Sequence, residues 1–399
     1  MSVAPLYPAR PAERGGAPVS RVATPVLWLY GPPGVGKTTV AWAIYQDLVR
    51  AGVETAYVDI DQLGIHYPEP ASDPGRHRMQ ARNLDAVVAG FVATGARCVV
   101  VSGVVDTARG VPPGTLSWAA LTLCRLRTGP DELRRRLAGR QGGLDLLSDG
   151  LRDAEVLDAA GLAEAGVDTS GLPVAEVARL VRERTGGWPA LTGPPAPAAP
   201  TASAGSDADG PVLWLCGPTG VGKSTAGFAA YLRLLRAGRT AAYVDLDQLG
   251  FRAPAAAGDP GRHRLKARNA AALWRTSRAA GAECLVMVGP AEDAAAVATY
   301  TAALPAATVT VCRLHAGPDQ LTHRILLRGR GEGSWAQPGD PLLGRPTADL
   351  RRVAELAAAD AAALDRAALG DLRVETDART VEETAEAILA AAGWARDGR

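Results

Sequence analysis

The chain has 399 residues, 47% of them hydrophobic, and a formal net charge of +1. That is length for about two domains with sizeable cores, and the near-zero charge gives no electrostatic case for a polynucleotide or an anionic membrane as partner. No apolar run reaches the ~20 residues of a membrane span, and the five cysteines (Cys98, Cys124, Cys216, Cys284, Cys312) form no CxxC or Cys/His metal spacing, which predicts buried reduced thiols and a cytoplasmic setting.

In chain order, residues 1–21 hold four prolines and no signal-type apolar stretch, and read as a disordered lead-in. Strands are predicted at Val26–Tyr30, Thr55–Asp59, Cys98–Ser102, Leu121–Arg125 and Ala165–Asp168, with helical patterns over Lys37–Ala51, Gly75–Thr94, Pro130–Arg140 and Pro173–Arg184. Strands alternating with helices predict an α/β fold with a five-stranded parallel sheet covered on both faces. The series then starts again. "VLWLYGPPGVGKTT" from Val26 matches "VLWLCGPTGVGKST" from Val212, "YVDIDQLG" from Tyr57 matches "YVDLDQLG" from Tyr243, and "DPGRHRMQARN" from Asp73 matches "DPGRHRLKARN" from Asp259. All three pairs are 186 residues apart, so a whole domain is doubled in tandem; solenoid repeats are far shorter. The expected layout is a domain over 22–190, a flexible Pro/Ala/Ser/Gly linker over 191–210 and a second domain over 211–399.

Each glycine-rich run fits G-x-x-x-x-G-K-[ST] between an apolar strand and a helix, the setting of a phosphate-binding P-loop. Gly31, Gly34 and Gly36 permit backbone angles that aim successive N–H groups, including that of Val35, at a β-phosphate, and the helix N-terminus adds partial positive charge. Lys37 is expected to reach the β- and γ-phosphates and Thr38 to offer its hydroxyl to Mg²⁺, with Thr39 beside it. Gly217, Gly220, Val221, Gly222, Lys223, Ser224 and Thr225 repeat the set in the second copy.

Neither third predicted strand ends in an acid: Cys98–Ser102 runs into "SGVV" and Cys284–Val288 into "GPAED". This counts against a motor-type or water-activating ATPase. The acids close the second strand instead, as Asp59 and Asp61, and as Asp245 and Asp247. Residues two apart in an extended segment point the same way, and the carboxyl ends of parallel strands form the ligand crevice. One acid is expected to take the proton of an attacking hydroxyl, the other to order Mg²⁺ or the acceptor; a turn-capping role is the competing reading for either.

Phosphoryl transfer spreads negative charge that late-arriving cations stabilise. Arg136 and Arg140, one helical turn apart, are the candidates, with Arg324 and Arg328 their partners. The polar "DPGRHRMQARN" run reads as an acceptor-site wall through Arg76, Arg82 and Asn83, repeated as Arg262, Arg268 and Asn269; a solvated surface is the alternative.

A P-loop, a strand-two D-x-D, no third-strand acid, an Arg-bearing helix after the fourth strand and a closing "VDTSG" together resemble the P-loop small-molecule kinases, a group that includes shikimate, gluconate and adenylylsulfate kinases and chloramphenicol phosphotransferase. The triple-glycine acceptor loop of shikimate kinase is absent. The resemblance implies two P-loop NTPase domains with strand order 2-3-1-4-5, ATP with Mg²⁺, an acceptor site above strand two and a mobile lid. It also implies that the loop after the last strand, Thr169–Gly171 or Thr376–Ala378, borders the base. The expected function is transfer of the ATP γ-phosphoryl group to a hydroxyl of a small molecule. A nucleotide-binding regulatory module and a polynucleotide-end kinase are the alternatives.

Overall fold

The computed structural model describes residues 23–107, 109–112, 114–138, 145–160, 165–191, 208–332 and 340–395. The lead-in over 1–21, nearly all of the linker over 191–210, and Arg140 lie outside the described residues.

In the first copy the order is β1 (Pro25–Tyr30), α1 (Lys37–Arg50), β2 (Thr55–Asp59), β3 (His66–Tyr67), α2 (His77–Ala93), β4 (Cys98–Ser102), β5 (Ala120–Arg127), α3 (Pro130–Ala138), α4 (Asp145–Ala160), β6 (Ala165–Asp168) and α5 (Val174–Arg184). The second copy runs β7 (Gly210–Cys216), α6 (Lys223–Arg236), β8 (Ala241–Asp245), β9 (Arg252–Ala253), α7 (His263–Ala279), β10 (Cys284–Val288), α8 (Ala294–Ala303), β11 (Ala307–His315), α9 (Pro318–Gly329), α10 (Thr347–Arg366), β12 (Leu372–Glu375) and α11 (Val381–Ala391). The central strands are unbroken apolar runs because both sheet faces are covered: all five residues of β4 and of β10 are buried. α11 starts at a capping box in which Thr380 and Glu383 satisfy each other's backbone N–H.

The sheets are ordered β6-β5-β1-β4-β2-β9 and β12-β11-β7-β10-β8-β3. Within each copy the five strands are parallel and follow the expected 2-3-1-4-5 order. The sixth strand is a correction to the expectation: each edge is extended by an antiparallel two-residue strand from the other copy. β9 of the second copy pairs with β2, Ala253 opposite Thr55, and β3 of the first pairs with β8, His66 opposite Ala242. An open edge strand offers unpaired backbone groups, and here each copy closes the edge of its twin.

The exchange continues into side chains. Phe251, just before β9, packs against Trp42 and Tyr57, with ring centroids 5.0 and 5.8 Å apart. Ile65, its equivalent in the first copy, packs on the core of the second. α2 and α7 lie against each other so closely that a Cβ at Gly90 would fall 2.3 Å from Asn269 Oδ1. One hydrophobic cluster, including Leu84, Val88, Phe91, Ala270, Leu273 and Trp274, crosses the boundary between copies. The five cysteines are free thiols, all buried, and among the described residues no helix is long and apolar enough to cross a membrane.

Candidate nucleotide and acceptor sites

The loops after β1 and β7 bend back to start α1 and α6. The residues that cap these helices, Gly36 and Gly222, are left-handed at φ 98° and 99°, a conformation that favours glycine. Lys37 Nζ donates to the carbonyls of Gly31 and Pro32 at 2.9 and 3.1 Å, and Lys223 does the same to Gly217 and Pro218 at 2.9 and 3.0 Å. Val35 and Val221 are buried in the loops; Thr39 is exposed and Thr225 half-buried on the first helical turns.

The first acid of each D-x-D faces this cradle. Thr38 Oγ1 donates to Asp59 Oδ2 at 3.0 Å, and Ser224 Oγ donates to Asp245 Oδ2 at 2.9 Å. The strands do not continue through the second acid, as an extended pair requires. A 3-10 turn begins at Ile60 and Leu246, and the backbone N–H of Asp61 and of Asp247 donates to the preceding acid's Oδ1 at 3.0 Å. So Asp59 and Asp245 cap the turn with one oxygen and hold the cradle hydroxyl with the other, while Asp61 and Asp247 stand exposed. Burial, then the neighbouring second acid, pushes Asp59 and Asp245 up to about 6. Hydroxyl plus carboxylate is a hard-oxygen set suited to Mg²⁺, and Thr38 with Asp59, or Ser224 with Asp245, would hold it.

Arg136 and Arg324 stand as braces in this structure, which corrects the picture of a cation free to swing. Arg136 donates to Val35 O at 3.2 Å, Thr169 Oγ1 at 2.9 Å and Thr169 O at 2.8 Å. Arg324 repeats this on Val221 O at 3.0 Å, Thr376 Oγ1 at 2.9 Å and Thr376 O at 2.9 Å. Each guanidinium fork thus ties the P-loop to the loop after the last strand, a planar multi-donor task suited to arginine. Arg328 pairs with buried Asp340 at 2.6 Å, and its charge is felt by both Lys223 and Asp247.

The "DPGR" segments are placed differently from the expected acceptor wall. Arg76 reaches Gly64 O at 2.5 Å and Glu69 at 3.1 Å and stacks 4.3 Å from the Tyr67 ring; Arg262 donates to Arg252 O at 2.7 Å. Both stabilise the exchanged strands. Asn83 and Asn269 are 1% and 0% exposed and donate to Leu63 O and Leu249 O at 2.5 and 2.9 Å. Both are buried and anchor the D-x-D turns through their amide N–H groups. Arg82 and Arg268 are exposed.

Several residues at the sites were not foreseen. Ser102 donates to Asp59 Oδ2 at 3.1 Å and shares a 2.9 Å hydrogen bond with the Tyr57 hydroxyl; Val288 fills the equivalent place in the second copy. Lys266 lies 2.8 Å from Asp247. The mismatch of Gln80 and Lys266, where the segment otherwise differs only by Met79 for Leu265, was the available signal for the lysine.

Two mostly parallel sheets, each with a glycine cradle at the end of its central strand and a carboxylate turn beside it, define tandem P-loop domains. Solved structures of small-molecule P-loop kinases match the chain. A tunicamycin resistance protein from Deinococcus radiodurans is 19% identical, covering 47% of this chain and 97% of its own, at a TM-score of 0.32. A shikimate kinase from Bacteroides thetaiotaomicron is 19% identical over 40% of this chain and 96% of its own, at 0.30. A Mycobacterium tuberculosis APS kinase, in complex with AMPPNP and APS, is 20% identical over 46% and 98%, at 0.28. No protein-family model matches the chain, and no curated protein matches it in sequence.

Proposed function

We propose that the protein is an ATP-dependent phosphotransferase with two kinase sites, each passing the γ-phosphoryl group to a hydroxyl of a small molecule. The observation that carries this reading is the pair of hydrogen bonds Thr38–Asp59 and Ser224–Asp245, which set a carboxylate turn against a phosphate cradle twice in one chain. Mg²⁺, when bound, would supply charge neutralisation on the phosphate oxygens. The chain's own residues do the rest. Loop N–H groups and Lys37 or Lys223 hold the phosphates, and Asp61 or Asp247, exposed beside them, accepts the proton of the incoming hydroxyl. The acceptor oxygen forms the new bond to Pγ as the bond to the β-phosphate oxygen breaks and ADP leaves. Positioning and fixed charge provide most of the rate.

The test is a metabolite extract incubated with γ-labelled ATP and the full chain, read by mass spectrometry. A labelled organic phosphate, lost in a Lys37→Ala/Lys223→Ala variant, is expected. Label found solely as inorganic phosphate would remove the transferase and leave a nucleotide-driven module.

A further inference from the structure

The first acid of each D-x-D turn is held differently in the two copies. Ser102, at the end of β4, stands opposite Asp59 in the sheet register, and Val288, at the end of β10, stands opposite Asp245. Both side chains are fully buried. The same place therefore holds a hydroxyl in the first copy and two methyl groups in the second. The helix behind it changes as well. A Cβ at Gly227 would fall 2.4 Å from Val288 Cγ1, so the valine fills the space of a methyl group that α6 lacks. α1 carries Ala41 at that place, 186 residues earlier. Serine goes with alanine and valine with glycine.

A carboxylate accepts hydrogen bonds and donates none. Asp59 Oδ2 accepts from Thr38 at 3.0 Å and from Ser102 at 3.1 Å, and its Oδ1 accepts from the Asp61 N–H at 3.0 Å. Three donors fix the plane of the carboxylate. Ser102 has one hydrogen and spends it on Asp59, so Tyr57 is the donor in the 2.9 Å bond between their hydroxyls. Ser102 is thus itself held by a buried ring. Thr38 also turns its one hydrogen toward Asp59, which leaves its oxygen lone pairs to face a cation. In the second copy Asp245 accepts from Ser224 at 2.9 Å and from the Asp247 N–H at 3.0 Å. Tyr243, at the place of Tyr57, donates instead to the Ser224 carbonyl at 3.4 Å.

We infer that Ser102 is a positioning residue for the divalent cation of the first cradle, acting through Asp59 and Thr38, and that the second cradle holds its cation without such a group. Mg²⁺ demands near-ideal octahedral geometry, and residues that orient a carboxylate beside a metal set the metal's affinity without touching it. The inference rests on the Mg²⁺-nucleotide site of the phosphotransferase reading, and not on the transfer itself.

The test is ADP binding to the full chain by calorimetry, with Mg²⁺ titrated and in EDTA. Lys223→Ala confines binding to the first cradle. Adding Ser102→Ala should raise the Mg²⁺ concentration at half-saturation about 10- to 100-fold, the range for losing a partner of a metal-binding carboxylate, and should leave metal-free ADP affinity within about twofold. Lys37→Ala confines binding to the second cradle. There Val288→Ser with Gly227→Ala, which installs the pair of the first copy, should lower the Mg²⁺ requirement several-fold. An unchanged Mg²⁺ requirement in either arm would overturn the inference. So would an equal loss of affinity with and without Mg²⁺ in Ser102→Ala, since Ser102 would then prop the cradle as a whole. These outcomes leave the phosphotransferase reading standing. No ADP binding in Lys223→Ala or in Lys37→Ala, with or without Mg²⁺, would overturn both.

Discussion

Tyr57 in the first copy donates its backbone N–H to the carbonyl of Phe251 in the second at 2.8 Å, and Tyr243 repeats the bond to Ile65 at 2.9 Å. Each donor lies two residues before the first acid of its own D-x-D turn, and each acceptor lies four residues after the second acid of the other. The edge of each site is thereby built from both copies. Tyr57 also shares a hydrogen bond with Ser102, which donates to Asp59, which in turn accepts from Thr38. Phe251 therefore packs at the start of a chain of contacts that ends on the first cradle.

Removing the Phe251 ring should loosen the copy it does not belong to. Phe251→Ala leaves Trp42 without its edge-on partner and Tyr57 without its tilted one. For a half-buried ring the expected loss is roughly 2 kcal/mol, below the ~3–5 kcal/mol of a fully buried one. Hydrogen exchange should speed up in α1 and β2 of the first copy; acceleration confined to the second copy would contradict the placement.

Acid should weaken the clasp through His66. The ring is fully buried on β3, and neither ring nitrogen has a hydrogen-bond partner among the described residues. Burial, then the Arg76 guanidinium, holds it below the ordinary 6.5. The unfolded chain therefore takes up a proton that the folded chain refuses. The stability is fully present above the unfolded value and is lost as pH falls from there through the folded one. Thermal unfolding should shift down between pH 7.5 and 5.5, and His66→Phe should show a smaller shift than the wild type.

The two acids of each turn should separate on substitution. Asp59→Asn and Asp245→Asn disturb groups bonded to the cradle hydroxyls, and are expected to weaken Mg²⁺-nucleotide binding. Asp61→Asn and Asp247→Asn should leave nucleotide affinity within a few-fold and slow transfer by about 10²–10⁴, the range for losing a general base. Equal loss of affinity in both pairs would assign all four carboxylates to the nucleotide.

Arg324→Lys should loosen the second cradle. A lysine cannot serve Val221 O, Thr376 Oγ1 and Thr376 O at once from one planar fork. Nucleotide affinity there should fall roughly tenfold, about 1.4 kcal/mol, with the first copy unchanged in calorimetric titration.

The parts legible in the amino-acid sequence were those written locally. The strand–loop–helix context of Gly31–Lys37, the D-x-D at a strand end and the 186-residue repeat each depend on neighbours in the chain, and the strand order came with the kinase resemblance that these motifs carry. The exchanged strands are two residues long, too short for any alternation to register, and their partners lie 174 to 198 residues away along the chain. Arg76 and Asn83 were misplaced for the same reason. Polarity near a site suggested a ligand, when the groups it satisfies are the turn carbonyls of Gly64 and Leu63. Asp61 was read on an extended strand, but the turn-capping role set against that reading is the one Asp59 takes, closing a 3-10 turn there.

The most direct measurement is the stoichiometry of Mg²⁺-nucleotide binding to the full chain by calorimetry. Two sites per chain are expected in the wild type, one in Lys37→Ala, one in Lys223→Ala and none in the double variant at the same nucleotide concentration. Binding that persists undiminished in the double variant would show that the glycine-rich loops are not where the phosphates are held.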